Sequence, residues 1–207
     1  MENKINFKLL QDADLKGKIV LVRVDHNVVK KGIIHDPYRI DATIGTLFYI
    51  IAKGGKIILM THVGRPKNKK TGDIVIDDDS SVQPIVDYIQ SKLHIKLGIP
   101  EFQPNGTKGY TGIKTSINHM IKALRNDEID GIYLPNTRWF AGEENKGEEG
   151  DQFAYQLAGL ADIFVNDAFG SWQAHASTVK ITNYLPSYAG FLMQKELSNL
   201  ERIYKPE

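Results

Sequence analysis

The 207-residue sequence contains no cysteine, which excludes a disulfide scaffold and any thiolate-held metal. It also lacks long apolar runs. The longest, TLFYIIA and KIILM, fall far short of the ~18 residues a membrane span takes. The opening MENKINFKLL has no basic-then-apolar pattern of a secretory signal. Neither sign of charge dominates: 26 basic and 25 acidic residues leave +1, which argues against a general nucleic-acid binder. Two common phosphate loops are missing. No G-x-x-x-x-G-K-[ST] occurs, the nearest strings being GIKTS and KNKKT, and no G-x-G-x-x-G follows an apolar run. The histidines form no metal-ligand spacing, HIK (94–96) and HAS (175–177) standing far apart. These absences suit a soluble intracellular globular protein; the expectation is a cytoplasmic one, with neither membrane nor nucleic acid as partner and no metal-binding cluster of histidines. Its 42% hydrophobic residues suffice for one large domain or two small ones.

The apolar runs that are present are short and β-branched: KIVLVRV (18–24), KIILM (56–60), GIYL (131–134) and ADIFV (161–165). Continuous runs of this length suit strands buried on both faces. Helical patterns lie between them. Asp36-Pro37 offers an N-cap and a proline at the first helical position, and Ile40, Ile44, Leu47, Phe48 and Ile51 then repeat at helical spacing up to Gly54-Gly55. Further helices are expected from Ser80-Ser81 through VDYIQSKL, over 114–125 with Ile117, Met120, Ile121 and Leu124 on one face, over 151–161, and after Pro186 (about 187–204). The apolar stripes are assigned to the core. PEFQPNGTKGYTGI (100–113) and RPKNKKTGD (65–73) read as loops. Strands alternating with helices predict an α/β fold: a doubly wound, Rossmann-like parallel sheet flanked by helices in three α/β/α layers.

Ligands of such sheets bind beyond the carboxyl ends of the strands. Here the four ends carry Asp25-His26-Asn27, Thr61-His62-Val63-Gly64-Arg65-Pro66-Lys67, Pro135-Asn136-Thr137-Arg138 and Asn166-Asp167-Ala168-Phe169-Gly170. Arginine presents a planar fork that matches phosphate or carboxylate, glycine admits an anion to the backbone N–H groups, and proline stiffens the turn. LMTHVGRPK therefore reads as an anion-binding strand end. Arg39 is odd in another way: it stands near the start of a helix, where the macrodipole disfavours a cation unless an anion sits beside it. Taken singly, each residue has a plain structural use. Arg65 and Lys67 suit a solvated loop, His62 a hydrogen-bonded strand end, and Asp25, Asn27, Asn166 and Asp167 suit turn caps. Only their convergence points to a site for a small anionic metabolite.

Together VLVRVDHNV, RIDATIGTL, GGKIILMTHVGRPK, LPNTRWFAGEE, FVNDAFG and LPSYAGFLMQKEL strongly resemble, in order and over most of residues 5–203, the N-terminal domain of phosphoglycerate kinase. The resemblance implies a monomeric glycolytic transferase that moves a phosphoryl group between 1,3-bisphosphoglycerate and ADP, or from ATP to 3-phosphoglycerate in reverse. By that resemblance residues 1–207 are the substrate-binding domain, with the last helix leading to a hinge. Mg-ATP/ADP is held by a C-terminal nucleotide domain, the partner of this one, and none by this chain. Asp25 and Asn27 bind the glycerate end, and His62, Arg65 and Arg138 grip the non-transferred phosphate. Arg39 is the catalytic cation towards the transferred group.

The sequence also departs from that family. It stops at IYKPE, before the expected nucleotide-binding motifs, so it reads as an isolated or truncated domain that does not transfer phosphate alone. Where the family shows GTAHRAHAS this chain has GSWQAHAS, with Gln173 in place of a phosphate-binding arginine and His175 beside it. Loss of one charge-assisted contact costs ~1.5–3 kcal/mol of affinity, which Lys180 or Lys67 is placed to offset. His26, Val29 and Pro135 replace the family's phenylalanine, proline and glutamate. Two other readings stay open. One is a non-catalytic module that binds an anionic metabolite. The other is a metal-dependent phosphohydrolase with Asp25 as nucleophile and Asp167 as magnesium ligand, against which stands Asn27 at the place of the required second carboxylate.

Overall fold

Strands that are apolar on both faces need cover on both sides, and the chain supplies it. The computed structural model describes residues 7–171 and 173–204; Trp172 of the GSWQ segment and the closing KPE lie outside the described residues. Its strands are β1 (Ile19–Val24), β2 (Val29–Lys30), β3 (Ile33–Ile34), β4 (Lys56–Met60), β5 (Leu97–Gly98), β6 (Gly131–Tyr133), β7 (Ile163–Asp167) and β8 (Ser187–Ala189). Its α-helices are α1 (Tyr38–Ala52), α2 (Gln83–Leu93), α3 (Asn118–Arg125), α4 (Glu148–Ala158) and α5 (Phe191–Tyr204). Six strands form one parallel sheet in the order β5-β6-β4-β1-β7-β8, and β2 with β3 makes a small antiparallel hairpin.

Alternation along β1 shows the layering. Val20, Val22 and Val24 point to a core shared with Ile40, Leu47 and Ile50 of α1 and Ile85, Val86 and Ile89 of α2. Ile19 and Leu21 point the other way, to Leu124 of α3 and Phe153, Ala154 and Leu157 of α4. The expected three-layer, doubly wound α/β architecture is therefore present. Because β1 lies between β4 and β7, the chain winds one way through β4 and the other way through β7 and β8. The crevice where such a sheet reverses its winding is where ligands fit, beyond the strand ends.

Several expectations need correction. The fifth helix starts at Phe191; residues 187–189 instead form β8, paired with Phe164–Asn166 of β7. The fourth, expected to contain 151–161, spans 148–158 and stops before Gly159. The α1 helix begins after Pro37, and its buried face runs through Ile40, Thr43, Thr46, Leu47 and Ile50. Phe48, assigned above to the core, is 67% exposed. Two threonines occupy the buried face because their hydroxyls are satisfied there: Thr43 donates to the Ile40 carbonyl at 2.9 Å, and Thr46 accepts from the Phe191 N–H at 3.0 Å.

Candidate functional site

The end of β1 places three consecutive residues differently. His26 points inward and is fully buried. Its Nδ1 lies 3.0 Å from the Tyr133 hydroxyl and its Nε2 2.8 Å from Thr43 Oγ1. Thr43 already donates to Ile40, so the arrangement that satisfies every group has Tyr133 donating to Nδ1 and Nε2–H donating to Thr43. Burial, aided by the charges of Arg23 and Arg39, pulls the His26 pKa down to about 3. The flanking Asp25 and Asn27 are thereby anchored on a rigid core. Asn27 turns toward the crevice and accepts the Gly64 N–H at 2.9 Å.

That bond revises one expectation. Gly64 has φ +60°, so it makes the left-handed turn after β4, but its N–H is engaged by Asn27 rather than offered to a ligand. Its carbonyl accepts from Arg138 Nη1, which fixes that guanidinium over the turn, and Arg138 Nε also meets Glu144 at 3.1 Å. Asn136, which follows β6 just before Arg138, is scaffolding. Its Oδ1 accepts from Val63 and Arg138 N–H, and its Nδ2 donates to the Val63 and Ser80 carbonyls. Asp167 is scaffolding too. Its Oδ1 accepts the Leu192 and Met193 N–H groups at 2.9 and 3.3 Å, capping α5, while Oδ2 has no partner among the described residues. Burial raises its pKa to about 6, opposed by the Thr46 hydroxyl and those two N–H groups.

A cleft of about 310 Å³ opens between these strand ends, lined among others by Asn27, His62, Arg65 and Arg138. Gln173 and its neighbour His175 line it as well. Asp25 and Arg39 do not. They form an ion pair and line an adjoining pocket of about 280 Å³, which meets the cleft at Gly170. A Cβ at Gly170 would stand 2.3 Å from Asp25 Oδ2, so only glycine lets the chain pass this close to the pair. The cation at the start of α1 thus has its anion, Asp25. This pairing also weighs against Asp25 as a nucleophile, its carboxylate being engaged by a guanidinium. Lys180, named above as a stand-in for the missing arginine, is held elsewhere by Asp151 and the Lys146 and Gly147 carbonyls.

Arg23 was missed by the sequence reading. Inside β1 it points with Ile19 and Leu21, is fully buried, and lines the cleft. Its Nε donates to Ser177 Oγ at 3.0 Å, which in turn donates to Glu143 Oε1 at 2.6 Å; Nη1 donates to the Val24 carbonyl. Burial lowers the Arg23 pKa, while Glu143 and Asp25 oppose that shift. Its Nη2 lies 2.9 Å from His62 Nδ1. A guanidinium only donates, so Nδ1 must accept and the His62 proton sits on Nε2. Burial, with Arg23, Arg138, His175 and Arg39 around it, depresses the His62 pKa to about 2. His62 is therefore a neutral N–H donor among cations. The Ser171 hydroxyl also borders the cleft and has no partner among the described residues. The signal that was available for Arg23 is a charge within an otherwise apolar strand run. Guanidinium, imidazole N–H, amide and hydroxyl groups make a donor set that fits oxygen anions and does not fit Mg²⁺, which takes oxygen ligands.

Comparisons with known proteins bear on the family and the fold. The family model for phosphoglycerate kinase matches residues 10–207. A phosphoglycerate kinase of Dictyoglomus turgidum is 42% identical over 190 residues, which is 91% of this chain and 43% of that protein. The solved phosphoglycerate kinase of Coxiella burnetii superposes with a TM-score of 0.72 at 26% identity, over 95% of this chain and 45% of the other. That of Pyrococcus horikoshii OT3 gives 0.73 at 25%, over 97% and 46%. The chain spans less than half the length of the relatives it matches. By sequence and by fold, it belongs to the phosphoglycerate kinase family.

Proposed function

We propose that this chain is the phosphoglycerate-binding domain of a phosphoglycerate kinase, with α5 leading to a hinge and a C-terminal domain holding Mg-nucleotide. In that reaction the bond between phosphorus and the acyl oxygen of 1,3-bisphosphoglycerate breaks. The phosphoryl group passes to a terminal oxygen of ADP, and the electron pair stays on the carboxylate of 3-phosphoglycerate. The observation that carries the reading is the cleft itself, where Arg23, Arg65 and Arg138 stand with a neutral His62 and no acid among the lining residues.

In this reading the non-transferred phosphate takes Arg65, Arg138 and the Nε2–H of His62. Asn27 and the Ser171 hydroxyl face the glycerate end. Asp25, held to Arg39, accepts from the glycerate hydroxyl, and Arg39 stabilises charge on the transferred group from the adjoining pocket. Magnesium supplies charge neutralisation on the nucleotide phosphates when bound, and no residue of this cleft is assigned to it. The chain by itself holds phosphoglycerate without transferring phosphate, because the reacting groups meet only when the two domains exclude water between them. The enzyme is read as a cytoplasmic monomer.

Calorimetric titration with 3-phosphoglycerate and, separately, ATP tests this. Binding of the phosphoglycerate alone, lost in Arg138→Ala, is expected. Tight ATP binding by this chain, or phosphoglycerate binding that Arg138→Ala leaves unchanged, contradicts it.

A further inference from the structure

The first turn of α5 is tied down by side chains of two other elements. Phe191 N–H donates to Thr46 Oγ1 of α1, and Leu192 and Met193 N–H donate to Asp167 Oδ1 of β7. Gly190 lies so close to that carboxylate that a Cβ would stand 2.5 Å from its Cγ. Asp167 is fully buried, and its Oδ2 has no partner among the described residues. The elements around it bring no compensating charge. On β1, Arg23 is tied to Ser177 and Asp25 to Arg39. On α1, Asp41 is held by Lys92, and no charged residue follows from Ala42 to Ala52. β8 has none, and Lys8 beside it lies over the Tyr188 ring. On α5, Lys195 is exposed and Glu196 lines the pocket beside Arg39. Besides burial, only the Thr46 hydroxyl and the two α5 N–H groups act on Asp167. A buried carboxylate with one oxygen unpaired favours its protonated form, and the free oxygen, Oδ2, is the one that takes the proton. Oδ1 then keeps its N–H groups. If α5 lifts away, water reaches Asp167 and the ordinary acidity of a carboxylate returns. The docked helix therefore binds a proton more readily than the undocked one.

We propose that Asp167 is a proton latch on α5: the helix is held more firmly against β7 and α1 when Oδ2 carries a proton, and opens more readily once the carboxylate is ionised. Acid then tightens this attachment while it loosens the rest of the fold, where the buried neutral imidazoles of His26 and His62 resist protonation. In the reading above α5 leads to a hinge, but the latch stands or falls independently of what the cleft binds.

Amide hydrogen exchange on the 207-residue chain, corrected for intrinsic rates, tests this. Between pH 7.0 and 5.5 the protection of residues 192–200 is expected to rise roughly fourfold, from a docked carboxyl at about 6 and a freed one at the ordinary ~3.9. Over the same interval protection in β1 is expected to fall. Asp167→Asn keeps an acceptor for the two N–H groups and has no proton to bind, so its α5 protection should no longer change with pH. Protection of α5 that stays flat or falls with that of β1 in the parent chain, or a rise that persists in Asp167→Asn, overturns the proposal. A second measurement needs no variant. The carboxyl carbon of Asp167, followed by NMR in the parent chain, should titrate near pH 6 together with the Leu192 and Met193 amide shifts. A carboxyl still ionised at about pH 4.5 overturns the latch as well.

Discussion

Acidification from pH 7.0 to 5.5 is expected to weaken the fold through two buried histidines. In the folded chain His26 and His62 titrate at about 3 and about 2, whereas the unfolded chain protonates them near 6.5. The unfolded state therefore binds more protons across this window. Stability is fully present above pH 6.5 and falls as the pH drops toward the folded values. Over this interval each histidine accounts for a loss of about 1 kcal/mol. Asp167 acts in the opposite sense. Its folded pKa of about 6 is raised above the unfolded value, so its folded form takes up a proton first and returns part of that loss, under about 1 kcal/mol, on acidification. The net loss is on the order of 1–2 kcal/mol, a sizeable share of the ~5–15 kcal/mol that holds a domain together. Urea unfolding at the two pH values measures it. In His26→Phe the pH dependence should shrink by about 1 kcal/mol, whatever that variant's absolute stability. A stability unchanged between pH 7.0 and 5.5, or a dependence that His26→Phe leaves as large, refutes the assignment of two neutral buried imidazoles.

Other expectations follow from single contacts. Gly190→Ala puts a Cβ 2.3 Å from Asp167 Oδ1; displacing that cap from α5 should cost about 1–2 kcal/mol in thermal or urea unfolding. Asn136→Leu strands the Val63 N–H and the carbonyls of Val63 and Ser80, a loss of about 3 kcal/mol, and frees the turn that carries Arg65. Nitrogen NMR of the free chain should show His62 as the neutral Nε2–H tautomer at pH 6; a charged ring or the Nδ1–H form contradicts its contact with Arg23.

The central strands were legible because burial on both faces leaves continuous β-branched runs, as in KIVLVRV and KIILM. The edge strands were not. Leu97–Gly98 is two residues long, and Ser187–Ala189 lies between Pro186 and a helix, where Pro186 read as a helix start. Phe48 and Thr43 show the limit of apolar periodicity in α1. A threonine whose hydroxyl bonds its own helix carbonyl packs inward as well as a hydrophobe, so the buried face includes Thr43 and Thr46 beside Ile40 and Leu47 and leaves Phe48 outside. At the site, strand-end logic brought Asn27, His62, Arg65 and Arg138 to one cleft, with Gln173 and His175 at its rim. It did not foresee that Asp25 and Arg39 neutralise each other next door, or that Asn136 Oδ1 is spent on backbone N–H groups; for Asp167, whose Oδ1 caps α5, the plain capping reading was the apt one. Such pairings depend on three-dimensional neighbours that spacing does not reveal. The resemblance to phosphoglycerate kinase, by contrast, was carried by motifs whose order alone is specific, and the family match bears it out.

The most direct measurement of the central claim is a map of amide chemical shifts as 3-phosphoglycerate is added to the free chain. The account predicts that the shifts concentrate at Asn27, Gly64, Arg138 and Gly170–Ser171 around the cleft, and that Arg65→Ala abolishes them. Shifts confined to the outer edge along β8, or none at millimolar ligand, contradict it.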